Sequence, residues 1–267
     1  MNRWIPGILL ALFWLLLLAR GSFLLFWIVV SLIGFIAARE FCRMAFADLL
    51  YEQDRVLLPL LLIAPIFAAV FCTSYPATAS FGTVLGLVGL TGYVFTNYSR
   101  FKSPVALLTR GALGLVFIGF FLSHTVLIRG LDDGGNWLIV LMGITAGSDS
   151  CAYWVGCRWG KRKLFPAISP KKTMEGAAGG LAGGLIGGVL MAFLFPVPAP
   201  MLMIMALAVV LSAVGMTGDL IESVMKRGYG IKDSGSLLGG HGGVLDRVDS
   251  LLMAGPFLYY ILIYAGY

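Results

Sequence analysis

The stretch MLMIMALAVVLSAVGMTGDLIESVMKR, Met201–Arg227, decides the fold class. It opens with an apolar run, Met201–Leu220. Crossing the hydrocarbon core of a bilayer takes about 20 apolar residues in a helix. Before the run ends it acquires Asp219, and Glu222, Ser223 and Lys226 follow. If the helix continues, these four fall at i, i+3, i+4 and i+7 and share one face. A charged group in hydrocarbon costs about 2.5–3.5 kcal/mol at the centre of a span and less at its end, so such groups are tolerated when partnered. Asp219 is placed either to pair with Lys226 or to hold a metal ion.

The rest of the chain has the same character. Of 267 residues 59% are hydrophobic and 12% charged, whereas a soluble domain carries about 25% charged residues. Apolar runs recur almost end to end, at Trp4–Ala19, Phe23–Ala38, Val56–Cys72, Ser80–Asn97, Val105–Ile128, Asn136–Gly156, Gly176–Phe195, Met201–Leu220 and Leu251–Tyr267. The predicted fold is an all-α, polytopic integral membrane bundle of about nine transmembrane helices. Pairing of the first two runs as a re-entrant hairpin would lower that count. No small-x-small cleavage signal separates them, so the first run is expected to be retained. Residues 1–135 are read as N-terminal transmembrane helices, and residues 136–267 as a transmembrane catalytic region with cytoplasmic loops.

Charge sets the orientation. With the N-terminus inside, only Arg20 and Arg129 of the 19 basic residues fall on the outer side, a strong positive-inside bias. The net charge of +6 is then concentrated on one face, which suits anionic headgroups or nucleotides. The longest polar connections, residues 39–55, 157–175 and 221–250, also lie on that face. Within the first of them, Phe41, Met44, Ala45, Leu49 and Leu50 recur near helical spacing among Glu40, Arg43, Asp48, Glu52 and Asp54. That pattern predicts an amphipathic interfacial helix, or a helix extending beyond the bilayer, with a structural role. The glycine pairs 179–180, 183–184 and 187–188 put a bare stripe on one span, suited to close approach of another helix. Cys42, Cys72, Cys151 and Cys157 lack C-x-x-C spacing, which disfavours a zinc site or disulfide framework.

Polar residues crowd between Ser223 and Asp249, SVMKRGYGIKDSGSLLGGHGGVLDRVD. On a helix Asp246 and Asp249 turn both carboxylates to one side, toward the Asp219 cluster across the loop. Oxygen ligands from two helix ends suit Mg²⁺, which is held by one or two carboxylates plus substrate phosphates. The structural alternative is an ion-pair network with Arg227 and Arg247. Arg227, Lys226 and Lys232 offer charge for phosphate, and the loop glycines let backbone N–H groups line an anion site. His241, alone among glycines, is suited to contact phosphate or base, or to make a structural hydrogen bond. Upstream, Asp149 interrupts an apolar run, and Ser169, Pro170, Lys171, Lys172, Thr173 and Glu175 lead into the glycine-striped span. Ser169–Lys172 also reads as a helix start, with the serine as cap.

These elements together resemble a known signature. The order S-x-x-K-R, K-D, H-G-G, D-R-x-D is that of the phosphatidate cytidylyltransferases, or CDP-diacylglycerol synthases. Here it is Ser223, Lys226, Arg227, Lys232, Asp233, His241, Gly242, Gly243, Asp246, Arg247 and Asp249. The D-S-x-A-Y element at Asp149–Tyr153 and the S-P-x-K-T-x-E-G element at Ser169–Gly176 are similar to that family as well. Where many members carry proline before G-H-G-G, this chain has Gly239.

The resemblance implies transfer of CMP from CTP to phosphatidic acid, giving CDP-diacylglycerol and pyrophosphate. It implies Mg²⁺ held by Asp219, Asp246 and Asp249. Lys226, Arg227, Lys232 and Arg247 would bind phosphates, with Lys171 and Lys172 assisting. Ser223 would orient a phosphate or a metal-bound water, and Asp246 counts among the catalytic residues. The expected partners are CTP, phosphatidic acid and the bilayer, with a homodimer as one assembly and no nucleic acid. The expected location is a bacterial inner membrane, with the site facing the cytoplasm. A CTP-dependent lipid kinase, such as a polyprenol kinase, and a transporter are the rival readings.

Overall fold

In the computed structural model of the chain, residues 4–47, 54–71, 77–235 and 242–267 are described, with side chains from Ala11 on. Ser22 separates the first two apolar runs. Its Oγ accepts the Leu25 N–H at 3.2 Å, supplying one of the acceptors that a helix N-terminus lacks. Helix α1, Trp4–Arg20, ends before it and α2, Phe23–Ala45, begins after it. The third run does not form one straight helix. α3, Asp54–Leu62, gives way at Ile63 to the short α4, Ala64–Ala68. Pro65 has no N–H to continue the ladder, and its ring disfavours helical geometry just before it. The interruption has a use: Gly119 sits directly against the Leu62 carbonyl, with no room for a Cβ.

The remaining helices are α5, Ala77–Thr96; α6, Pro104–Gly114; α7, Phe121–Arg129; α8, Gly134–Trp159; α9, Met174–Leu194; α10, Met201–Gly228; and α11, Leu245–Ala265. A wide π turn, Leu115–Phe120, joins α6 to α7 into one rod. Among the described residues seven helices are long and apolar enough to cross a bilayer, the α6–α7 rod counted as one. The all-α membrane architecture therefore holds. The difference from about nine spans lies in α1, which is 17 residues long, and in the broken α3–α4 run. Outward-facing apolar side chains such as Leu16, Val88, Phe95, Ile186, Phe193 and Leu202 are exposed, as a lipid-facing belt requires. The buried core is continuous from Leu17 in α1 to Leu262 in α11.

One element is not helical. Residues Lys163–Phe165 (β1) and Ser169–Thr173 (β2) form an antiparallel two-stranded hairpin, with Lys163 opposite Thr173 and Phe165 opposite Ser169. The reading of Ser169–Lys172 as a helix start is therefore corrected. The cap is Thr173, whose Oγ1 accepts the Gly176 N–H at 3.1 Å, and Ser169 lies in the strand.

The glycine stripe of α9 packs as its spacing predicts, and on two sides. Gly183 lies against the Gly147 carbonyl and Cys151 of α8, while Gly184 abuts Ser212 of α10; a Cβ at either would overlap these atoms. Gly183→Leu should destabilise the detergent-solubilised protein by about 1–3 kcal/mol through overpacking. Ile186→Leu, on the exposed side of the same helix, should melt like wild type. A thermal melt of both variants checks this.

Candidate functional site

The packing of α8, α10 and α11 brings acidic residues from three helices to one end of the bundle. Helix α10 continues past its apolar part to Gly228, so Asp219, Glu222, Ser223 and Lys226 do share a face. It ends where Gly230 takes a left-handed φ of 72° and Ile231 N–H returns to the Lys226 carbonyl at 2.9 Å. This is the glycine-terminated stop expected of such a sequence. Helix α11 then starts at Leu245 and carries Asp246 and Asp249 back along α10. The two helices touch at Gly218, where a Cβ would stand 2.5 Å from the Asp249 carbonyl oxygen.

Two lysines are bound into this acidic centre. Lys226 Nζ donates to Glu222 Oε2 at 2.8 Å and to Asp246 Oδ1 at 2.6 Å. Lys172, from β2, places its Nζ 2.7 Å from Asp219 Oδ2. Asp219 thus pairs with Lys172, and Lys226 takes Glu222 and Asp246. Asp246 is fixed further: its Oδ2 accepts the N–H groups of Ser234 at 3.1 Å and Gly243 at 2.8 Å. Asp149 of α8 joins from the other side, where Ser250 Oγ donates to it at 3.4 Å. Glu222 and Asp249 are buried and Asp219 is partly buried.

The other predicted site residues are distributed around this centre. Ser223 is half-buried on α10. Arg227 is exposed and turns to backbone, toward the Ile168 carbonyl of the hairpin turn at 3.5 Å and Ile231 at 3.4 Å. Lys171, Lys232 and Arg247 are exposed at the same end. His241 and Gly239 lie outside the described residues. The hairpin that delivers Lys172 is pinned by Glu175, whose carboxylate accepts the N–H groups of Lys161 at 3.0 Å and Arg162 at 3.2 Å.

Glu40, read from the sequence as part of an amphipathic structural segment, reaches this end from the N-terminal half. It is 3% exposed, and its Oε2 accepts the Leu245 N–H at 2.9 Å. Among aligned apolar positions a lone carboxylate beside Phe41 was the one available signal, and nothing local connects it to residues about 200 positions away.

The donor set fits a hard divalent cation, and it joins Glu222 to Asp219 and Asp249 of the expected ligands. Asp219, Glu222 and Asp249 each offer a carboxylate oxygen, and these oxygens lie within 4.8 Å of one another. Glu222 Oε1 is buried without a hydrogen-bond partner among the described residues, which is costly unless a cation or proton serves it. Asp246, engaged by Lys226 and two backbone amides, stands beside this group and not within it.

A phosphatidate cytidylyltransferase of Bacillus subtilis is 35% identical over 264 residues, spanning 98% of this chain and 97% of its own length. Proteins of the same name from Brucella suis and Staphylococcus haemolyticus match at 46% over 149 residues and 34% over 174 residues, covering 55% and 65% of each chain. A model of the cytidylyltransferase family matches residues 1–265. With the family model and the Bacillus subtilis relative both matching over nearly the whole length of the chain, this protein belongs to the cytidylyltransferase family.

Proposed function

We propose that the protein transfers CMP from CTP to phosphatidic acid, forming CDP-diacylglycerol and releasing pyrophosphate, at the cytoplasmic face of a bacterial inner membrane. The observation that carries this is the carboxylate group Asp219, Glu222 and Asp249, bordered by Lys172 and Lys226 and set at a helix end beside the bilayer. The lipid phosphate is already an anionic nucleophile, so no strong protein base is needed. Its oxygen forms a bond to the α-phosphorus of CTP as the bond from that phosphorus to the β-phosphate bridge breaks. Two anions must be brought together, and the lysines and exposed basic residues offset their repulsion by position and charge.

Asp219, Glu222 and Asp249 would hold Mg²⁺. When bound, Mg²⁺ supplies positive charge for the pyrophosphate that leaves. Asp246 holds Lys226 with its ammonium aimed along the acidic centre. Lys172, Lys171, Lys232, Arg227 and Arg247 line the same end as phosphate contacts, and Ser223 orients a phosphate oxygen. The excess of basic residues on the predicted inner face supports the cytoplasmic orientation.

Incubation of purified protein with labelled CTP, phosphatidic acid and Mg²⁺ should put label into the lipid extract and release pyrophosphate. Labelled CDP in the aqueous phase with no labelled lipid would mark a CTP-dependent lipid kinase and remove the transferase reading.

A further inference from the structure

We infer that Glu40 is a positioning residue for the transfer, holding the start of α11 and the end of the loop before it in register with Lys226. This rests on the transferase reading for its kinetic assay, and a second measurement below does not.

Helix α11 begins without a side-chain cap of its own at Val244, and its first N–H, that of Leu245, falls among those with no partner inside the helix. The Glu40 carboxylate serves that end from another helix. Its Oε2 accepts the Leu245 N–H at 2.9 Å and the Ser234 hydroxyl at 3.4 Å. An anion at a helix N-terminus is favoured by the oriented peptide dipoles. The backbone closes on the carboxylate from two sides. A Cβ at Gly235 would stand 2.5 Å from Glu40 Oε1, and one at Gly243 2.5 Å from Glu40 Oε2. Two of these neighbours, Ser234 and Gly243, also belong to the Asp246 constellation, since they donate their N–H groups to Asp246. One carboxylate therefore fixes the same backbone that Asp246 uses to aim Lys226.

The end of α2 that carries Glu40 is itself anchored. Arg110 of α6 donates to the Ala45 carbonyl at 2.6 Å, and its guanidinium lies 5.6 Å from the centre of the Tyr229 ring, just past the end of α10. Burial pushes the Tyr229 hydroxyl pKa up, against the opposing pull of Arg110, so the ring stays neutral. Glu40 thus links the N-terminal helices to the reacting end without touching the acidic centre.

The test compares Glu40→Ala with Glu40→Gln, which keeps the shape and one acceptor oxygen. Glu40→Ala should lower kcat about 10²-fold with KM for CTP changed less than about threefold, since a displacement near 1 Å costs that much in rate. Glu40→Gln should recover to within about tenfold of wild type, because an amide oxygen still accepts the Leu245 N–H. Hydrogen exchange at the Leu245 and Ser234 amides should accelerate in Glu40→Ala and stay near the wild-type rate in Glu40→Gln. This readout stands even if wild type shows no transferase activity. Unchanged exchange in Glu40→Ala would overturn the inference. So would a Glu40→Gln variant with wild-type exchange and no activity, because the charge would then act directly in the chemistry.

Discussion

Asp246→Asn is expected to remove CTP-dependent formation of CDP-diacylglycerol, with a loss of about 10³-fold, while leaving the protein folded in detergent. The side chain keeps its size, so the loss is not a packing loss. What changes is electrostatic. Asp246 accepts from Lys226 at 2.6 Å and from two backbone amides. An asparagine offers one neutral oxygen to the same donors and presents an NH₂ where a second acceptor stood. Lys226 then leans on Glu222 alone, and the fixed positive charge shifts away from where phosphate charge must be met. Removing one well-placed stabilising group costs about 10²–10³ in rate, and here the displaced lysine adds to that. Turnover should be measured beside a thermal melt. Near-normal turnover in a folded Asp246→Asn protein would mean that Lys226 is held adequately without it.

Glu222→Gln should weaken divalent cation binding, raising the Mg²⁺ concentration for half-maximal activity by about 10²-fold, a loss comparable to that seen when the support of a metal site is removed. Glu222 is fully buried, with Oε2 on Lys226 and Oε1 without a hydrogen bond among the described residues, and it offers a carboxylate oxygen within 4.8 Å of those of Asp219 and Asp249. Glutamine keeps the contact with Lys226 through its oxygen but lacks the charge that two neighbouring carboxylates share with a cation. Binding of Mn²⁺, followed by its magnetic resonance signal in the absence of nucleotide, should weaken in parallel. An unchanged Mn²⁺ affinity would move the cation away from Glu222. It would also leave Glu222 the role of an ion pair for Lys226.

The two variants separate roles that the linear sequence merged. The family resemblance implied Asp219, Asp246 and Asp249 as metal ligands, and their spacing left an ion-pair network open as well. Glu222 stood at the right helical phase throughout but appeared only as a neighbour of Asp219. The structure divides the acids by partner: Lys172 with Asp219, Lys226 with Glu222 and Asp246. The helix period says which residues share a face, yet it does not say which lysine from another element arrives there. The same limit applies at Ser169. Its S-P-K-K context allows a helix cap or a strand, and pairing with Lys163–Phe165 chose the strand.

By itself the sequence determined the membrane class, the apolar runs, the glycine stripe of α9 and the shared face of Asp219, Glu222, Ser223 and Lys226. All of these follow from hydropathy and helical periodicity, which act over a few turns of chain. Only the tertiary structure decided that Glu40 reaches the start of α11 and that Lys172 rather than Lys226 meets Asp219. It also decided that Gly119 packs against the Leu62 carbonyl where Pro65 interrupts the third apolar run. Those contacts join residues far apart in the chain, and their geometry is set by how closely the helices pack, which no local pattern encodes.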